Sequence, residues 1–179
     1  MTEIAREPDA RERSKPNWGA PRERTVTWWW PEGLGAEIAG LEGLEYLQGI
    51  VDGRFPPPPF AALTGVRLTS VASGEAVFRA APDQSWLNPL GLVHGGLLCT
   101  LLDSAMGVAV QTQVPAGVGY ATVELKVSFL RPLRGDGRQI EARGRVLQAG
   151  ARIAFAEAHA HDERGNLLGH ATSSLARVG

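Results

Sequence analysis

The chain has almost no cysteine. Cys99 is the single one among 179 residues, which excludes an intramolecular disulfide and any zinc site built on cysteine pairs. Charge imbalance is also missing. Eighteen Lys and Arg against nineteen Asp and Glu leave a formal net charge of -1. No nucleic acid and no membrane surface is therefore expected as a general partner, although a local basic patch can still meet a ligand's phosphates. Met1 to Arg24 is rich in Arg, Glu and Pro and lacks the apolar core of a secretory signal, so the cytoplasm is the expected location. The longest apolar stretch, Leu92 to Val110, is interrupted by His94, Gly95, Gly96 and Asp103. A membrane span tolerates that combination poorly. No internal repeat is visible, and the length suits one domain of ordinary size with some extension.

What is present divides into two parts. Residues 1–58 read as an N-terminal extension. Its start, to about Arg24, is expected to be disordered, being too poor in apolar side chains to offset ordering entropy. Trp28, Trp29 and Trp30 are expected to dock onto the folded body rather than stand out as a binding patch. Leu44, Leu47 and Val51 then mark a weak amphipathic helix over Leu41 to Val51, and Pro56 to Pro59 form a stiff linker. Residues 59–179 read as the folded domain. Strands are expected over Leu63 to Val71 and Glu75 to Ala80, turning at Ser73-Gly74, followed by a long helix over Leu97 to Gln111. Four more strands follow at Ala121 to Leu130, Gln139 to Leu147, Ile153 to His161 and Leu167 to Leu175, separated by turn signals.

One helix among about six strands, four of them consecutive, predicts an α+β fold with a mostly antiparallel sheet. In the helix, Leu97, Leu98, Leu101, Leu102, Ala105, Met106, Val108, Ala109 and Val110 cover nearly every direction around the axis. That pattern predicts burial all round, which a sheet wrapped about one long central helix would satisfy.

Asp103 stands in the middle of this apolar helix. A carboxylate there costs several kcal/mol unless it is paired, hydrogen-bonded or neutralised, and no basic residue lies within a turn of it. It is a candidate for catalysis or for a structural hydrogen bond at a subunit contact. Before the helix, Asn88, His94, Gly95 and Gly96 place an amide, an imidazole and two glycines at a helix N-terminus, where free backbone N–H groups favour negative charge. This suits an oxyanion hole; the alternative is that the glycines permit tight packing and His94 caps the helix. Cys99 reads either as a small buried hydrophobe or as a reactive thiol.

Asp103 follows His94 by nine positions, about 13 Å along the axis and half a turn around it. The two cannot easily serve one reaction centre within a single protomer. Two copies could bring His94 and Gly95 of one beside Asp103 of the other, giving two shared sites per dimer.

The run from Asn88 through His94-Gly95-Gly96 to Asp103, followed by Thr122 to Pro132, resembles the phenylacetic-acid-type (PaaI-like) thioesterases of the hotdog superfamily over roughly Phe60 to the C-terminus. The resemblance implies a hotdog fold and hydrolysis of acyl-CoA thioesters by homodimers or homotetramers. It implies no cofactor, CoA being part of the substrate. It also implies that Asp103 is general base or nucleophile, that Gly95 N–H meets the thioester carbonyl, and that His94 and Asn88 orient the thioester or water. Thr122 holds the place of a helper hydroxyl, yet it shares strand parity with Glu124, Lys126 and Ser128, so a regular strand would turn it away from the helix.

Further binding candidates are Gly96, Met106 and Gly107 toward the acyl group. Arg131, Arg134 and Arg138 are candidates for the CoA phosphates, or are solvated hairpin charges. No metal site is expected from His159, His161 and His170, scattered on late strands without supporting carboxylate spacing. Competing functions are a non-catalytic acyl-CoA-binding protein and a hotdog hydratase or dehydratase, whose differently ordered motif is not found.

Overall fold

The computed structural model describes residues 19–178; for residues 1–18 the expected disorder lies outside the described residues. Three short helices, α1 (Leu34–Ile38), α2 (Gly43–Val51) and α3 (Pro59–Thr64), precede strands β1 (Arg67–Ala72) and β2 (Glu75–Ala80). The long helix α4 (Gly95–Gln111) follows, and then β3 (Gly119–Phe129), β4 (Ile140–Ala149), β5 (Ile153–Asp162) and β6 (Leu167–Val178). The strands form one antiparallel sheet in the order β1-β2-β4-β5-β6-β3. After α4 the chain therefore crosses to the far edge of the sheet before filling its middle.

The sheet accepts the helix because its inner face is made of small residues. Ala154, Ala156, Ala158 and Ala160 alternate along β5, all essentially inaccessible. On β4, a Cβ at Gly144 would lie 2.3 Å from the Ala105 carbonyl oxygen, so only glycine admits the helix backbone there. Leu97, Leu98, Leu101, Leu102 and Met106 fill the space between them and form the core with Phe78, Ile140 and Leu175. Each such large side chain contributes about 1.5–3 kcal/mol by leaving water.

Four expectations need correction. The helix is not buried all round within its own chain: one side meets the sheet, while Cys99, Thr100, Asp103, Ser104, Gly107 and Val108 on the other side are half-buried. Of the apolar set only Val108 lies on that open side, and one sheet covers only the other. The strand placed over Leu63 to Val71 begins at Arg67, because Pro59 opens α3 at its first helical position and Gly65, at φ +70°, closes it. Six residues are too few to show a helical period. Trp28, Trp29 and Trp30 are exposed, Trp30 at 78 %, instead of docking on the body. Finally, α4 starts two residues early, at Gly95, because the His94 side chain caps it.

The helix of the extension packs on β1 and on the end of α4. Gly43 donates its N–H to the Val114 carbonyl at 2.9 Å, and a Cβ at Gly43 would collide with the Gln111 backbone. Among the described residues no helix is long and apolar enough to cross a membrane.

Candidate active site

The loop before α4 is tied down by its own backbone. Asn88 Oδ1 accepts from the Leu90 and Leu92 N–H groups at 2.9 and 3.2 Å, with Gly91 at φ +73° in the turn. His94 N–H donates to the Trp86 carbonyl at 2.7 Å and Val93 N–H to the Leu133 carbonyl at 2.9 Å. Asn88 thus engages its oxygen in the turn and keeps its NH2 as a donor toward the groove it lines.

His94 is the N-cap of α4, its Nδ1 accepting the Gly96 N–H at 2.9 Å. That bond leaves the proton on Nε2, which faces solvent as a donor. Leu97 N–H is accepted by the His94 carbonyl. Gly95 N–H has no partner among the described residues. Of the first three amides, Gly95 alone is therefore available to an incoming oxygen, whereas Gly96, also named from the sequence, has its N–H engaged. Both readings made for His94 and the glycines describe part of the geometry: the imidazole caps, and one amide stays open.

Asp103 lies two and a half turns along, on the open side of α4. Thr122 donates its hydroxyl to Asp103 Oδ1 at 2.9 Å. The parity objection to Thr122 is answered by a bulge. Thr122 pairs with Leu175, but the next pair is Glu124 with Ser174, so Val123 is an extra residue in β3. Across one extra residue the alternation of faces resets. Thr122 therefore shares the inner face with Leu175, while Glu124, Lys126 and Ser128 remain outside. No hydrogen bond joins His94 to Asp103; each has its own partner within the chain. Cys99, one turn before Asp103, has its thiol pushed up by burial and, less, by the Asp103 charge, which suits the inert reading.

A groove of about 330 Å³ is lined by Asn88, Leu92, Gly95, Leu98, Phe129 and Arg131, with Val93, Leu130, Pro132 and Leu133. It joins three of the residues singled out from the sequence, Asn88, Gly95 and Arg131. Phe129 had not been named as a site residue. Its ring would sit 3.0 Å from a Cβ at Gly95, and its place in Phe129-Leu130-Arg131-Pro132 was the available signal. Arg134 and Arg138 line a neighbouring depression together with Asp136, Asp162 and Glu163. There Arg138 is clamped on Asp136 by two bonds of 2.8 and 2.6 Å, and the guanidinium holds the Asp136 carboxyl below its ordinary range. Both candidates share their surroundings with carboxylates, unlike Arg131. Met106 is a correction: it is wholly buried on the sheet side of α4 and belongs to the core rather than to a substrate wall. Gly107 stays on the open side, one turn beyond Asp103.

The three late histidines are not scattered. Register pairs His159 with His170 across β5 and β6, their rings 4.6 Å apart, and His161 stacks next to His159 at 6.5 Å. All lie on the outer face of the sheet, away from α4. The turn at Arg164-Gly165-Asn166 and the two-residue spacing of His159 and His161 carried enough information to place them together.

A single long helix laid on a six-stranded antiparallel sheet, with a carboxylate on its open side and a bare amide at its start, defines a hotdog fold. The family model of the thioesterase superfamily matches residues 90–168, and the structural likeness is to PaaI-like proteins. It is similar to the TT0310 protein of Thermus thermophilus, at 30 % identity and TM-score 0.62, over 68 % of this chain and 99 % of that one. It is also similar to a phenylacetic acid degradation-related protein of Ralstonia eutropha, at 26 % identity and TM-score 0.67, over 73 % and 98 %. Among curated relatives, acyl-coenzyme A thioesterase 13 of Mus musculus is 28 % identical over 62 % of this chain and 78 % of its own length. A Halobacterium salinarum protein provisionally named an esterase is 37 % identical over 52 % of this chain, and the match spans 63 % of that relative's length.

Proposed function

We propose that the protein hydrolyses acyl-CoA thioesters to free acid and CoA. The observation that carries this reading is the Asp103 carboxylate, fixed by Thr122 on the open side of an apolar helix whose first amide, Gly95 N–H, is unpartnered among the described residues. In the general-base route Asp103 takes a proton from water and the hydroxide oxygen adds to the thioester carbon. Gly95 N–H holds the oxyanion, the C–S bond breaks, and the CoA thiolate recovers the proton. In the covalent route Asp103 attacks the carbonyl itself, expels the thiolate and forms a mixed anhydride that water opens. A single turnover in ¹⁸O water separates them by label in the Asp103 carboxylate. Asn88, through its NH2, and His94, through Nε2–H, serve as donors that orient thioester or water. With its Nδ1 occupied by Gly96 N–H, His94 is poorly set up as the base a hydratase would need.

The working unit in this reading is a homodimer. β3 is an edge strand of eleven residues, and Val123, Phe129 and Leu130 on it and just beyond it are exposed. Such an edge is a template for pairing with a second copy. Pairing there would set the groove at Gly95 and Phe129 of one protomer beside Asp103 of the other, giving the two shared sites that helix geometry calls for. Arg131 is the guanidinium best placed for a CoA phosphate. The reading puts the protein in the cytoplasm, with no cofactor beyond the substrate's own CoA.

The test is thiol release from a panel of aliphatic and aromatic acyl-CoAs by the native protein and by Asp103→Asn. Turnover is expected to fall by about two orders of magnitude or more in a variant that keeps its thermal transition. Unchanged turnover would move the chemistry elsewhere, and binding without turnover in the native protein would make it an acyl-CoA-binding protein.

A further inference from the structure

Several glycines inside regular elements of this fold have a visible reason. Gly43, Gly49, Gly144 and Gly169 each approach another group so closely that a Cβ would lie under 3 Å from it. Gly107 has no such reason. It sits in the middle of α4 with ordinary helical backbone, and a Cβ there would meet nothing nearer than Leu175 Cδ2 at 3.9 Å. A glycine inside a helix costs stability relative to alanine, and nothing among the described residues offsets that cost.

Its position supplies a reason. Gly107 follows Asp103 by one turn on the same side of the helix, about 6 Å along the axis. The side of the space above it is closed by Leu175, whose cross-strand neighbour Thr122 holds the carboxylate. A second turn on, on the same side of the helix, the Gln111 amide donates to the Val118 carbonyl at 3.1 Å, so a side chain held in place stands beyond Gly107. We propose that Gly107 is the specificity-determining position of the site. It floors the notch that receives the part of the acyl group next to the thioester carbonyl, and it admits acyl groups with bulk close to that carbon. This inference rests on the thioesterase reading given above.

The experiment compares native protein with Gly107→Ala and Gly107→Leu on acetyl-, isobutyryl-, hexanoyl- and benzoyl-CoA, with oligomeric state and thermal transition followed in parallel. The expected result for Gly107→Leu is a fall of about tenfold or more in kcat/KM for benzoyl- and hexanoyl-CoA relative to acetyl-CoA, the size of effect a filled pocket produces. Gly107→Ala is expected to show a smaller shift of the same sign in the benzoyl-to-acetyl ratio, with a raised thermal transition. It decides the matter if the leucine variant does not fold. An equal loss on all four substrates, or a dimer that falls apart, would make Gly107 a seat for the partner helix and overturn the inference. So would an unchanged profile. Native protein inert on every substrate would bring down the thioesterase reading, and the Gly107 role with it. Native turnover with unaltered selectivity in both variants would sink the Gly107 role alone.

Discussion

Toward the sheet, α4 presents Leu97, Leu98, Leu101, Leu102, Ala105, Met106, Ala109 and Val110, none more than 2 % exposed. Away from it, Cys99, Asp103, Gly107 and Gln111 follow one another at intervals of four, all half-buried. The first set is chosen by volume, because it has to fill the space left by alanines and a glycine across the interface. The second holds an inert thiol, a carboxylate, a bare backbone and an amide, and the last three are not what a core would select. Two sides of one helix therefore answer to different demands, stability on one and the proposed chemistry on the other, and substitutions should separate along that line.

The sharpest way to break this contrast is Leu101→Ala. Removing a wholly buried leucine from the sheet side is expected to lower unfolding free energy by about 2–5 kcal/mol in urea titration. A loss below about 1 kcal/mol would show that the core does not lean on this side. On the open side, Thr122→Val keeps the side chain's shape and removes the donor to Asp103. A fall of about tenfold in kcat/KM is expected, equivalent to about 1.4 kcal/mol, with stability within about 0.5 kcal/mol as for other exposed positions. Equal damage to activity and stability would erase the distinction.

The smallest effect concerns the outer face of the sheet. His159 is held below the ordinary imidazole range by burial and by the neighbouring His170 charge, against an opposing pull from Glu157. His161 on its own strand, His170 on β6, and Arg143 and Arg145 on β4 also face this cluster. A histidine with a depressed folded value binds its proton more readily unfolded, so its contribution is intact above the unfolded value near pH 6.5 and is lost as pH falls below it. The Glu157 carboxyl, held low by Arg145, loses its contribution only at more acid pH. Between about pH 7.5 and 5.5 His159 should dominate, and His159→Gln should flatten the fall of the urea midpoint across that interval. An unchanged slope would remove the cluster from the account.

Much of this was readable from residues. α4 announced itself by its apolar periodicity, and β4, β5 and β6 by alternation between turn signals. The Asn88, His94-Gly95-Gly96 and Asp103 spacing marked the loop and helix that carry the candidate site. What escaped has physical causes. α3 is six residues long, below the length at which a period shows. The bulge at Val123 leaves no compositional mark, so parity alone turned Thr122 the wrong way. The open side of α4 carries Val108 and Cys99 among its polar residues, and three-dimensional packing tells which side the sheet reaches. Met106 was misplaced for that reason.

The alternating alanines of β5, with Gly144 beside them, act as a gauge block under the helix. They set how far the α4 axis stands off the sheet, and with it the height at which the Asp103 carboxylate meets the Thr122 hydroxyl, whose own position comes from the far edge of the same sheet. Thickening that spacer by a methyl group would lift one partner and not the other. Residues far from the candidate site thereby hold the tolerance to which the carboxylate and its hydroxyl partner are aligned.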